Sequence, residues 1–222
     1  MSWESSLEYY RLINQAVKRE LGGYHSADSL MYSFDFHEIE TLQMQGNWDQ
    51  ATQRMIQAAQ RLAKGGAGCV VIATNTMHRM ADDVQAAVDI PLIHIADATA
   101  QAVRAGGLSS VGLLGTRFTM EGDFYAGRLR DKFGLDVLVP DEAGRQAVHD
   151  IIYNELVMGE IRDESRRVYI DLIEQVMRAG AEGVILGCTE IMLLIQQQHS
   201  PIPVFDTTRL HAEAAVRFAL AD

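Results

Sequence analysis

Gly66-Ala67-Gly68-Cys69-Val70-Val71-Ile72-Ala73-Thr74-Asn75-Thr76 and Gly180-Ala181-Glu182-Gly183-Val184-Ile185-Leu186-Gly187-Cys188-Thr189-Glu190 repeat one pattern. Each reads as a glycine that ends a helix, a short buried strand, and a small polar or nucleophilic residue at the strand's carboxyl end. Open α/β sheets bind ligands at those carboxyl ends. A duplicated unit offering Thr74 from one half and Cys188 from the other directs two reactive groups at one substrate, which is what proton transfer on both faces of a carbon requires.

Outward from these stretches, strand-like and helix-like segments alternate, the pattern of parallel sheets wrapped by helices. Strands are predicted at 29–34, 69–73, 92–95, 111–115, 136–139, 183–187 and 204–205. Helices are predicted at 5–20, 48–64, 98–105, 121–133, 145–158, 164–179 and 209–220. The reading is an α/β fold of two pseudo-symmetric lobes, each a parallel sheet flanked by helices. Lobe 1 takes residues 1–97 and lobe 2 residues 98–206, with a closing helix at 207–222 returning to lobe 1.

Two further correspondences support the duplication. Ile90-Pro91-Leu92-Ile93-His94-Ile95 matches Ile202-Pro203-Val204-Phe205-Asp206 in place and texture. Val111 to Gly115, then Thr116-Arg117-Phe118-Thr119-Met120 and Phe124-Tyr125, form a strand, a turn and a helix, whereas Met1-Ser2-Trp3-Glu4-Ser5 and Tyr9-Tyr10 match only the turn and helix. The first strand of lobe 1 is therefore missing. An opening strand of this kind is central and buried on both faces, so the expectation is that roughly ten residues, an apolar strand plus a Gly-Gly turn, precede Met1 in the working protein.

The bulk composition excludes several classes. Of 222 residues 48% are hydrophobic, and the net charge is −11 with no cluster of Lys and Arg, which argues against a nucleic-acid partner. The longest apolar runs fall far short of the roughly 20 residues that span a bilayer, and no signal peptide is visible. Two cysteines, each at a strand, favour a reducing cytoplasm over a disulfide scaffold. His25, His37, His94, His149, His199 and His211 show no metal-ligand spacing, and Gly112-Leu113-Leu114-Gly115 lacks the third glycine of a dinucleotide fingerprint. Neither a metal nor a cofactor is expected.

Moving a proton off a weakly acidic carbon needs a base on one face, an acid on the other, and donors for the adjoining carboxylate. Cys188 suits this because a thiol titrates within reach of neutral pH and more easily near a helix N-terminus. Thr74 is a much weaker acid and by residue type equally a helix cap. Asn75, Thr76 and Thr189 offer donors for a carboxylate. Cys69, five residues before Thr74 along a strand, reads as core. His78 and Glu190 stand close enough to the strand ends to tune a neighbour, Glu190 being equally a surface residue.

Ala73-Thr74-Asn75-Thr76-Met77-His78 and Leu186-Gly187-Cys188-Thr189-Glu190 resemble the two signatures of the aspartate/glutamate racemase family. Met1 to Ser5, Asp35-Phe36-His37-Glu38-Ile39-Glu40 and Gly115 to Met120 extend the likeness over nearly the whole chain, and the chain is most similar to the family's broad-specificity amino-acid racemases. The resemblance implies a cofactor-independent, commonly dimeric enzyme with one catalytic group from each lobe, here Thr74 and Cys188. It implies substrate contacts from Met1, Gln43, Asn75, Thr76, Thr116, Thr119 and Thr189; by bare sequence Gln43 is solvated surface and Thr116 and Thr119 are turn and cap residues. The family's first signature usually has Cys where Thr74 stands, and the Glu155–Gly159 stretch lacks the Lys that aspartate racemases tend to carry there. Glutamate, aspartate and homoserine-sized amino acids are the expected substrates. The rivals are a one-thiol decarboxylase or isomerase of the same superfamily and a non-catalytic amino-acid binding protein.

Overall fold

Val111 to Gly115 and Gly183 to Gly187 are buried throughout, because each strand is covered on both faces and flanked on both edges. The computed structural model describes residues 2–221. The strands are β1 (Val70–Val71), β2 (Leu92–Ile93), β3 (Ser110–Gly115), β4 (Asp136–Leu138), β5 (Gly183–Gly187) and β6 (Val204–Asp206). The helices are α1 (Trp3–Leu21), α2 (Phe36–Met44), α3 (Trp48–Lys64), α4 (Ala81–Ala86), α5 (Ile95–Ala105), α6 (Arg117–Glu121), α7 (Asp123–Phe133), α8 (Glu142–Asn154), α9 (Asp163–Arg178), α10 (Ile191–Leu194) and α11 (Thr207–Ala219).

Two parallel sheets result. One has the order β4-β3-β5-β6 and the other pairs β1 with β2. In the larger sheet Gly115 lies opposite Gly187, so the carboxyl ends of its two central strands finish level. Close approach enforces glycine there: a Cβ on Gly115 would meet the Gly187 carbonyl oxygen at 2.8 Å. The large sheet owns a core that includes Leu113, Leu114, Tyr125, Tyr169, Ile173 and Ile185. The small sheet owns a separate one that includes Ile39, Met55, Val70, Ile72 and Val84.

The helices follow local sequence signals. The Ser2 hydroxyl accepts from the Ser5 amide at 3.0 Å to cap α1, which stops at Gly22, where φ is 73°. Asn47 caps α3, whose buried Ala51, Met55, Ala58 and Ala59 fall on one stripe. α11, the last helix, packs against α1 and α5.

The structure differs from the expectations in several places: α4 and α10 are additional short helices, the 121–133 helix breaks at Gly122, and the 145–158 helix ends at Asn154. Residues 29–34 do not form a strand, because a strand is held by its ladder and none flanks this segment. It instead lines an apolar groove of about 160 Å³ with Tyr9, Ile13, Met55 and Val70 to Ala73, and among the described residues β2 is the only strand paired with β1. α2 was not expected; Asp35 caps it, accepting from the His37 amide at 3.1 Å, and Ile39, Leu42 and Gln43 form its buried face. Cys69 lies outside β1 and is only half-buried, so it is not a full core residue.

Candidate active site

Thr74 leaves β1 in a bend that hydrogen bonds fix. Its amide donates to the Ile72 carbonyl at 2.7 Å, and its carbonyl faces His78 Nδ1 at 2.7 Å. The 3-10 turn that follows, Thr76–Met80, has Asn75 at its cap position. Thr74 is therefore not the cap its residue type suggests, and it sits half-buried at the strand's carboxyl end.

Cys188 directly follows β5 and is also partly exposed. Its Sγ donates to Glu190 Oε2 at 3.0 Å. Thr189 Oγ1 donates to the same oxygen at 2.8 Å and Ser2 Oγ to Oε1 at 2.6 Å. Glu190 is only 4% exposed, not a surface residue, and a charge so enclosed needs these donors. Burial pushes its carboxyl up, yet it stays below the ordinary value, the donors Cys188, Ser2 and Thr189 being among the causes.

The expectation of an easily ionised thiol is overturned. Enclosure pushes Cys188 well above the usual thiol range, and the Glu190 charge pushes it further. The helix meant to lower it is four residues long and starts only at Ile191, with the Glu190 carboxylate in between. At rest Cys188 is a protonated thiol aimed at a carboxylate.

Two tethers draw the Thr74 and Cys188 loops to one place. Asn75 Nδ2 donates to Thr207 Oγ1 at 3.0 Å, and Thr207 Oγ1 donates to the carbonyl of Leu186, two residues before Cys188, at 2.7 Å. Thr76 Oγ1 lies 3.1 Å from Thr116 Oγ1, and Thr116 follows Gly115, which is paired with Gly187. The strand ends of both sheets thus meet in one region.

Within it the hydroxyls of Thr76, Thr116 and Thr119 form a buried triangle, with Thr119 at 3.3 Å from each of the others. Thr116 stands at the start of α6 without making a side-chain cap bond, so its hydroxyl serves the triangle instead. Asn75 cannot offer its amide N–H groups as freely as expected, because Nδ2 is engaged with Thr207. The atom left without a partner is Oδ1, an acceptor, in a residue 1% exposed. The orientation is fixed, since Thr207 spends its proton on Leu186 and must accept from Asn75.

Gln43 is 4% exposed rather than solvated. Its Nε2 reaches Met77 Sδ at 3.1 Å and its Oε1 accepts from Tyr153 Oη, also at 3.1 Å. Tyr153 keeps its proton, its hydroxyl raised first by burial and then by its ionisable neighbours Cys188, Glu40 and Glu190. Met1 lies outside the described residues.

Sequence reasoning missed Ser2, Tyr153 and Thr207. Ser2 carried a signal, an N-cap type followed by a helical pattern. Tyr153 and Thr207 carried none, because the site residues they meet, Gln43 and Asn75, lie more than a hundred residues away. Among the described residues no group of three His, Cys, Asp or Glu side chains could hold a metal ion, and no helix is long and apolar enough to cross a membrane.

A solved structure from Yersinia pestis, described as a candidate Asp/Glu racemase, shares this fold with a TM-score of 0.92 and 52% identity, covering 100% of this chain and 96% of that one. A solved aspartate racemase homologue from Pyrococcus horikoshii OT3 has a TM-score of 0.83 at 34% identity, covering 98% and 95%. The broad specificity amino-acid racemase RacX of Bacillus subtilis (strain 168) is 25% identical over 173 residues, 78% of this chain and 74% of that protein. The model of the family described as Asp/Glu/Hydantoin racemase matches residues 1–215, so that both strand-end signatures fall inside the match, and to that family this chain belongs.

Proposed function

We propose that this protein racemises a free amino acid without a cofactor, Thr74 and Cys188 serving opposite faces of the α-carbon. The observation that carries the reading is the Cys188 thiol hydrogen-bonded to the buried Glu190 carboxylate at the end of β5, on a loop tethered through Thr207 and Asn75 to that of Thr74. Glu190 takes the thiol proton, and the thiolate then removes the α-hydrogen as a proton. The C–H electron pair stays on the substrate as a planar ene-diolate. The Thr74 hydroxyl gives its proton to the far side of that carbon; solvent then reprotonates Thr74, and Glu190 releases to solvent the proton it took, which restores the Cys188 thiol beside the Glu190 carboxylate. In the reverse direction Thr74 must act as base, which a hydroxyl does poorly, so the two directions are unequal.

The remaining contacts suit an α-amino acid. The unpaired Asn75 Oδ1 accepts from the α-ammonium. The hydroxyls of Thr76, Thr116 and Thr119 turn from one another to donate to the α-carboxylate as it becomes an ene-diolate, while Thr189 beside them keeps its hydroxyl proton on Glu190. Gln43, paired with Tyr153, meets the side chain with neutral polar groups, which fits glutamate, aspartate or a homoserine-sized substrate. The lobes are taken as residues 1–97 and 98–206, the packing of α11 on α1 supporting a closing helix that returns to the first. A homodimer is supported by the exposed apolar stripe of Trp3, Leu7 and Tyr10 on α1, and the two free thiols suit the reducing cytoplasm.

Incubation of each enantiomer in heavy water tests the reading: α-deuterium must enter the substrate and the mirror-image product. No exchange with any amino acid refutes it. Thr74→Cys separates a racemase from a one-thiol decarboxylase, raising exchange on its face in the first and leaving the second unchanged.

A further inference from the structure

His78, His94 and His211 stack beneath the Thr74 loop, with ring centroids 4.6 Å apart for His78 and His94 and 5.5 Å for His78 and His211. All three are buried. The hydrogen bonds of His78 fix its tautomer. The Ile95 amide can only donate, and it points at His78 Nε2 from 3.2 Å, so that nitrogen carries no proton. The proton is on Nδ1, which donates to the Thr74 carbonyl at 2.7 Å.

Its neighbours are fixed in the same way. His94 Nδ1 accepts from the Ala96 amide at 3.2 Å. His211 Nε2 donates to the Ile93 carbonyl at 2.6 Å, leaving Nδ1 to accept from Tyr9 Oη at 2.8 Å. Arg128 and Lys132, both clamped on Asp97, are the cations that act on the group, Arg128 on His78 and His94 and Lys132 on His94. No second proton fits on His78 without setting N–H against N–H, so it is a permanent neutral donor and not a proton carrier.

From this arrangement we infer that His78 is a positioning residue for Thr74: it ties the Thr74 carbonyl to the first amide of α5 and so fixes the direction of the Thr74 hydroxyl. The inference rests on the two-face racemase reading above. It assigns His78 to one face only. Cys188 is held by Glu190, which shares no hydrogen bond with this histidine.

The test compares His78→Asn with His78→Gln in the full chain, reading α-deuterium uptake from heavy water separately for each enantiomer. An Asn amide nitrogen takes the place of Nδ1 and keeps the bond to Thr74; a Gln amide takes the place of Nε2 and keeps only the bond to Ile95. A misplacement of about 1 Å costs up to roughly 100-fold in rate. His78→Gln should therefore lose about 10- to 100-fold on the Thr74 face and less than about 3-fold on the Cys188 face. His78→Asn, which keeps the Thr74 bond and gives up only the Ile95 anchor, should lose less than His78→Gln on the Thr74 face and leave the Cys188 face as in the parent. Tyr9→Phe, which cuts the network at its far end, should leave the ratio of the two faces as in the parent.

Equal loss for both enantiomers in His78→Gln, no loss, identical behaviour of the Asn and Gln variants, or the same asymmetry in Tyr9→Phe would each overturn the assignment. A parent protein that exchanges neither enantiomer would remove the racemase reading itself, and the assignment with it, which is distinct from an active parent with symmetric variants.

Discussion

Asn75 and Thr207, 132 residues apart, meet side chain to side chain at 3.0 Å, and Thr207 hands its own proton to the backbone of β5. A hydroxyl 0% exposed thus locks the end of the small sheet to the middle of the large one. Thr207→Val leaves Asn75 Nδ2 without its partner and takes a donor from the Leu186 carbonyl, and should cost about 1–3 kcal/mol in urea unfolding. Asn75→Ala added to it should cost less than the sum of the single changes, because the pair acts as a unit. Full additivity would show that the tether contributes nothing.

Glu190 holds the Cys188 thiol by a hydrogen bond, and in the proposed mechanism it receives the thiol proton. Glu190→Gln removes a negative charge next to the sulfur, so the thiol should titrate at lower pH, followed by thiolate absorbance. Proton transfer should nevertheless slow by about 100- to 10,000-fold, the range for removal of a general base. A variant with an easily ionised thiol and undiminished exchange would show that Glu190 has no part in the chemistry.

Gly115→Ala tests the level ends of β3 and β5. The added Cβ would meet the Gly187 carbonyl oxygen at 2.8 Å, and backbone in the centre of a sheet cannot yield cheaply. The expected loss is about 1–3 kcal/mol of stability. A raised KM should accompany it, since Thr116 is the next residue and its hydroxyl belongs to the triangle. Unchanged thermal unfolding and KM would contradict the close approach.

Buried neutral histidines make the fold sensitive to acid. Burial holds His211 down at about 4, and burial with repulsion from Arg128 holds His94 down at about 3, against an ordinary value of 6.5. The unfolded chain therefore binds more protons in this range, so stability is complete above pH 6.5 and falls as pH drops toward 4. His211 alone should contribute a loss on the order of 3 kcal/mol across that window. Urea titrations at stepwise pH should show the slope. His211→Leu, less stable at pH 7 because Tyr9 and Ile93 lose their partner, should show a shallower one.

Much of this protein was legible in order along the chain. Strand-ending motifs, helix caps and buried runs are local, so the alternation of elements, the internal duplication and the positions of Thr74 and Cys188 at strand ends followed from periodicity and residue type. Residues 29–34 show the limit of that logic: their apolar texture suits a strand, but strand formation depends on a neighbour that spacing alone does not supply.

What the sequence determined by itself is which residues stand at the carboxyl ends of β1 and β5, because side-chain pattern and chain direction are properties of neighbouring residues. Only the tertiary structure decided their chemistry. Cys188 became a protonated thiol through the enclosing fold and a carboxylate held by Ser2 from the far end of the chain. Asn75 presents an unpaired oxygen because Thr207 holds its amide nitrogen and so fixes the orientation of the amide, and Gln43 left the surface to meet Tyr153. Ionisation and hydrogen-bond direction depend on groups brought within about 3 Å, and distance along the chain carries no record of that proximity.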